Sequence, residues 1–97
     1  MRHEIRLAPQ AVLDLRGLAT HLRAQVKDAM EIHLRYEPRK TSRSRIKRLR
    51  GLAQPQYRLR VGDLRVFYDV NETTIQVLAI VRKADVEAWL AKVGEPS

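Results

Sequence analysis

Apolar and polar residues alternate on both sides of a Gly-Asp pair in PQYRLRVGDLRVFYDV, Pro55 to Val70. A period of two marks a half-buried strand. Glycine as the first of two central residues suits a type II′ hairpin turn. That turn fixes a register: Val61 faces Leu64, Arg60 faces Arg65, Leu59 faces Val66, Arg58 faces Phe67 and Tyr57 faces Tyr68. Side chains alternate between the faces of a sheet. One face then carries Tyr57, Leu59, Val61, Leu64, Val66 and Tyr68, a core face on which both tyrosines pack. The other carries Arg58, Arg60, Arg65 and Phe67. Like charges directly opposite each other destabilise a sheet. Replacing Arg60 or Arg65 with leucine is therefore expected to leave stability unchanged or raised, and the arginines point to a use other than folding.

The rest of the chain reads in the same terms. Arg2 to Ala8 alternates as a short first strand, with Ile5 and Leu7 on one face. Pro9 suits the first turn of a helix, which carries Val12, Leu15 and Ala19 at helical spacing and breaks at Gly17. Thr20 is placed to cap a second helix. Its apolar stripe runs through Leu22, Val26, Ala29 or Met30, His33 and Tyr36, and Pro38 stops it. The two helices read as an antiparallel hairpin. Pro38 to Pro55 has no strong period and is long for a connection, which marks it as functional or mobile; Ile46, Leu49 and Leu52 are its anchors. A third meander strand spans Thr74 to Arg82 and is apolar on both faces, so it is expected to be covered on both. Pairing Val70 with Ile75 would put Val77, Ala79 and Val81 in the core, and Leu78, Ile80 and Arg82 on the arginine face. ADVEAWLAKV reads as a short last helix with Asp85 as its cap. The expected fold is a single α+β domain over residues 1–97. Its first strand joins an antiparallel three-strand meander in a four-stranded sheet.

Charge changes this picture in one region. The net charge is +8, and ten of the 19 Lys/Arg lie between Arg39 and Arg65 with a single acid, Asp63. That segment alone carries more positive charge than the whole chain. A concentrated positive field points to a polyanionic or acidic partner. No run reaches the ~18 apolar residues of a membrane helix, and the N-terminus lacks the apolar centre of a signal peptide. With no cysteine, disulfides and thiolate metal sites are excluded. A cytoplasmic protein is the expectation.

At these residues the chain resembles a known family. IKRLRGLAQPQYRLRVGDLRVFYDV followed by IQVLAIVRKADVEAWL is similar to the RelE/ParE superfamily of bacterial toxins, and the order of elements matches over nearly the whole chain. The resemblance implies the toxin of a type II toxin–antitoxin pair. RelE-like members cleave mRNA on the ribosome, whereas ParE-like members inhibit DNA gyrase. It implies a cognate antitoxin with an acidic or partly disordered segment. Arg58 and Arg60 fall where RelE-like ribonucleases place basic strand residues, Arg65 matches the arginine of the next strand, and Lys83 or Arg82 falls near the basic residue ending the last strand. Glu87 stands where an ungapped match expects tyrosine, with Trp89 two residues beyond.

Metal-free RNA cleavage uses the substrate's own 2′-hydroxyl as nucleophile. It needs a proton acceptor, charge stabilisation at phosphorus and a proton donor for the leaving oxygen. Arginine supplies the charge and is a poor base. The catalytic set expected is Arg58, Arg60 and Arg65 with Lys83 and Glu87 for the proton roles. Arg45, Lys47, Arg48, Arg50, Phe67 and Arg82 form the expected RNA-binding set. His33 reads as core, and His3 and His21 have no ligand-like spacing, so neither metal nor cofactor is expected. The leading expectation is a metal-independent mRNA endoribonuclease that blocks translation. The alternatives are a ParE-like gyrase inhibitor without nuclease activity, or an inactive basic nucleic-acid-binding module.

Overall fold

A computed structural model describes residues 1–97. Strand β1 (Glu4–Leu7) leads into helices α1 (Pro9–Arg16) and α2 (Thr20–Leu34). Strands β2 (Ile46–Arg48), β3 (Leu52–Gln54), β4 (Tyr57–Val61), β5 (Leu64–Val70) and β6 (Thr74–Arg82) follow. A 3₁₀ turn (Lys83–Asp85), helix α3 (Val86–Val93) and a two-residue strand β7 (Glu95–Pro96) end the chain. The fold class is the α+β architecture expected, with one strand more in its main sheet. The order is β1-β6-β5-β4-β2, with β1 parallel to β6 and the other pairs antiparallel. The fifth strand comes from the segment expected to be a long connection. Ile46 is buried opposite Leu59, which anchors β2 to β4. The β3 and β7 segments pair separately and tie the C-terminal tail down.

The hairpin register is the expected one at all five pairs. Gly62 has φ +57° and no other residue type has a positive φ. Asp63 therefore rules out a type I′ turn, which needs positive φ at both central positions. Tyr57 and Tyr68 stack with centroids 5.5 Å apart. The Tyr68 hydroxyl donates to the Pro38 carbonyl at 2.7 Å. Burial, and then the neighbouring Tyr57, raise its phenol well above the ordinary value. Helices α1 and α2 cover this face through Ala11, Leu15, Val26, Ala29, Met30 and Leu34.

The structure corrects four expectations. First, β6 carries a bulge. Tyr68 pairs with Val77 but Phe67 pairs with Ala79, so Leu78 is an extra residue. A bulge reverses the facing of all that follows. Ile80 enters the core opposite Val66, while Ala79 and Val81 turn to the arginine face opposite Phe67 and Arg65. Arg82 pairs with Leu64 and so leaves that face. Second, the α2 stripe ends in Leu34. Leu34 is fully buried, His33 lies on the flank, and Tyr36 is outside the helix and 60% exposed. Third, Thr20 is the first helical residue of α2, not its cap, and Ala19 precedes it without a side-chain bond. Fourth, Asp85 occupies the cap position of α3 but makes no side-chain capping bond.

Candidate nucleic-acid interface

The second face of the sheet is built by the hairpin. Cross-strand pairing of Arg58 with Phe67 and Arg60 with Arg65 puts all three arginines on it. Lys47 of β2 stands opposite Arg58 and joins them. The cluster has two distinct parts. Arg65 is only 7% exposed, and its Nη1 donates to the carbonyls of Gly62 at 2.9 Å and Leu64 at 3.0 Å. Its guanidinium therefore clamps the turn. Arg60 is exposed, and Arg58 is half-buried with an Nε that has no partner. Burial, followed by the charges of Arg65 and Arg60, lowers the Arg58 pKa from its ordinary value.

No acid neutralises the cluster. The chain has three ion pairs, Arg6–Glu4, Arg35–Glu31 and Lys40–Glu37, and none involves these residues. Asp69, on the same face, is already engaged by the Gln56 backbone N–H at 2.8 Å and by the Gln54 amide. The arginines thus hold charge that the fold leaves uncompensated.

The other cations divide similarly. Arg48 lies over the Tyr57 ring at 5.2 Å and donates to the Gln56 carbonyl at 2.7 Å. Arg45 donates to the Arg60 carbonyl at 3.2 Å and lines a hollow of about 300 Å³ beside His33. Burial and then the Arg45 charge lower the His33 pKa from 6.5. Arg50 is exposed in the turn between β2 and β3, and Arg82 is exposed at the end of β6. The Lys83 backbone N–H donates to the Asp63 carbonyl at 2.9 Å, which ties Lys83 to the turn that Arg65 clamps. Lys83 and Glu87 are both exposed. In α3 Glu87 is two residues from the sheet-facing Trp89, about 200° around the helix, so the two point apart.

Trp89 packs against this face of the sheet. Trp89 stacks on Phe67 with centroids 4.7 Å apart, and Phe67 is fully buried beneath it. Sequence reasoning missed Asp14, whose Oδ2 accepts the Ile80 backbone N–H at 2.9 Å where β6 extends past β1. An acid at an apolar helix position was the only available sign. No group of three His, Cys, Asp or Glu side chains is arranged to hold a metal ion, and no helix is long and apolar enough to cross a membrane.

The profile of the family described as "ParE toxin of type II toxin-antitoxin system, parDE" matches residues 5–87. The chain belongs to the RelE/ParE toxin family. Solved structures agree with this assignment. The RelE-RelB complex of Pyrococcus horikoshii OT3 matches with a TM-score of 0.70 and 28% identity, covering 86% of this chain and 97% of that one. An E. coli RelE double mutant in the free state matches in fold with a TM-score of 0.70 and 19% identity, over 96% and 99% of the two chains. The antitoxin-toxin complex of Methanococcus jannaschii has a TM-score of 0.65 and 24% identity, over 86% and 95%. No curated protein sequence matches. This chain is thus a type II toxin whose RelE/ParE scaffold displays an uncompensated basic hairpin face.

Proposed function

We propose that this RelE/ParE toxin is a metal-independent endoribonuclease that cuts mRNA at the ribosome and so inhibits translation. The observation that carries the reading is the half-buried, unpaired Arg58 beside Arg60 and Lys47. A guanidinium partly stripped of water and given no acid is suited to a phosphate, whose geometry matches its fork. In this reading Arg58 and Arg60 stabilise the negative charge developing at phosphorus. Arg65 holds the turn, and Lys83, tied to that turn, is the first candidate for a proton step, with Glu87 on the outer flank of α3 the second. Arg45, Arg50 and Arg82 add long-range attraction along the strand's path. A cognate antitoxin with an acidic segment is the second partner; the similar proteins from P. horikoshii and M. jannaschii were solved as a RelE-RelB complex and a RelB-RelE antitoxin-toxin complex.

The competing reading is a ParE-like gyrase inhibitor. It draws support from the ParE family match and from Glu87, which stands where the RelE-like resemblance implies a tyrosine and lies on the exposed flank of α3. The deciding experiment is single-turnover cleavage of mRNA on programmed ribosomes, run beside a supercoiling assay with purified gyrase. Arg58→Met should lower cleavage by about 10²–10³-fold, the usual cost of a lost charge stabiliser. Either Lys83→Met or Glu87→Gln should lower it by about 10²-fold or more. Normal cleavage in both proton-transfer variants would remove those two residues from the mechanism. A parent that cuts nothing but stops supercoiling would give the place to the gyrase reading.

A further inference from the structure

Beyond the arginines, the second face ends in a recess of about 320 Å³ lined by Gln10, Gln54, Pro55, Leu78, Trp89 and Val93. Leu78 is the extra residue of the β6 bulge. Trp89, which forms one wall, stacks on Phe67, and Phe67 stands opposite Arg58. The recess and the unpaired cations are therefore linked through one aromatic pair. Its polar groups are also set. Gln10 Nε2 donates to Asp14 at 2.8 Å and Gln54 Nε2 donates to Asp69. Each amide nitrogen is held by a carboxylate, which leaves the amide oxygen as the group available to accept.

We infer that this recess is a binding slot for one unpaired nucleobase of a strand whose phosphate lies on Arg58 and Lys47. The inference rests on the phosphate reading of that cluster. A planar ring fits against an indole and aliphatic walls, and stacking of this kind is how proteins hold single strands. The amide oxygens meet the amino or imino edge of a base. The neighbouring cations favour this occupant over a purely apolar one, because a nucleotide brings its negative charge with it.

Trp89 is the sole tryptophan, so its fluorescence reports on the slot directly. The probe is a short single-stranded RNA, compared with an abasic strand of the same length and with DNA of the same sequence. The base-bearing RNA should quench Trp89, and the abasic strand should bind more weakly without quenching. Val93 is 42% exposed, and Val93→Phe should fill the recess and weaken the base-bearing RNA about tenfold, towards the abasic strand. Gln10→Leu, at an exposed helix position, is the second variant should the first alter the urea midpoint. It should weaken only the base-bearing strand. Quenching by DNA as well assigns the slot to any single strand, and quenching by RNA alone assigns it to RNA; both support it. Equal affinity and equal quenching for the base-bearing and abasic strands would overturn the slot. If Arg58→Met then weakened both, the phosphate reading would survive. Binding of neither strand would overturn slot and phosphate reading together. Quenching by an acidic peptide but by no strand would give the recess to a protein partner and overturn the inference.

Discussion

The two faces of the β4–β5 hairpin share one backbone and one register, yet they are put to different uses. On the helix face, Tyr57, Leu59, Val61, Leu64, Val66 and Tyr68 are all buried against α1 and α2. All six pack into the core, and the Tyr68 hydroxyl also donates to the Pro38 carbonyl. On the second face, Arg58, Arg60, Arg65 and Phe67 have four different environments: half-buried and unpaired, exposed, buried and bonded, and stacked under Trp89. The difference teaches that alternation predicts which face a residue takes, but not what it does there. Burial of apolar surface is non-directional, so pattern alone places a core residue. A cation's role depends on which acceptors come within reach.

The comparison breaks most sharply at neighbouring residues of β4. Leu59 is fully buried, and Leu59→Ala should cost about 2–5 kcal/mol through lost transfer energy and the cavity left behind. Arg60→Leu, one residue on and exposed, should change stability by no more than about 0.5 kcal/mol. Urea unfolding of both variants checks this. Similar midpoints would mean that the hairpin faces are not energetically distinct.

A smaller effect separates Arg60 from Arg65. Their facing charges led to the expectation that removing either would be neutral or stabilising. Burial of Arg65 and its two bonds to turn carbonyls change that for one of them. Arg65→Leu leaves those carbonyls without their charged donor, at a cost of about 1–3 kcal/mol. Arg65→Lys, which cannot reproduce the planar fork, should recover only part of it. If Arg65→Leu unfolds at the parental urea concentration, the clamp contributes nothing and like-charge repulsion dominates.

Smaller again is the expected stability change at Arg58. Its Nε has no partner, so Arg58→Met should leave the urea midpoint within about 0.5 kcal/mol of the parent or slightly above it. RNA affinity should fall, and the slope of log affinity against log salt should become shallower by about 0.9 or less per phosphate contact removed. A marked loss of stability instead would place Arg58 with the clamp and leave only Arg60 and Lys47 as free ligands for phosphate on this face.

How much was legible follows the same division. The hairpin register and the bounds of β5 followed from Gly62 and alternation, and those of β6 from its continuous apolar run. The bulge did not, because Ile75 to Val81 is nearly all apolar, and a strand apolar on both faces gives no parity to read. Leu78 shifted Ile80 inward and took Arg82 off the arginine face without leaving a mark in the pattern. β2 was hidden for a different reason: three residues, two of them Lys47 and Arg48, show no alternation beyond Ile46. The candidate cations were visible as a cluster. Their division into clamp, ring contact and unpaired groups was not, because it depends on carbonyls brought near by turns.

The smallest effect is expected where the two faces meet. Arg45 bonds the Arg60 carbonyl at the edge of the sheet, and its charge acts on His33 of α2. Burial first, and Arg45 second, hold the His33 pKa below its ordinary value of 6.5. The unfolded chain then binds more protons than the folded one on this residue, so stability rises with pH across its titration. The contribution is present above about pH 6.5 and is lost as pH falls through that value towards the lower folded pKa. His33→Gln should flatten the stability profile between about pH 7 and pH 5. Arg45→Met should flatten it only in part, because it removes the lesser cause and leaves burial. Urea midpoints measured at half-unit pH steps for the three proteins decide it. A profile that steepens in Arg45→Met would mean that the Arg60-bound guanidinium shields His33 rather than repelling its proton. The charge of the second face would then stop at the sheet edge.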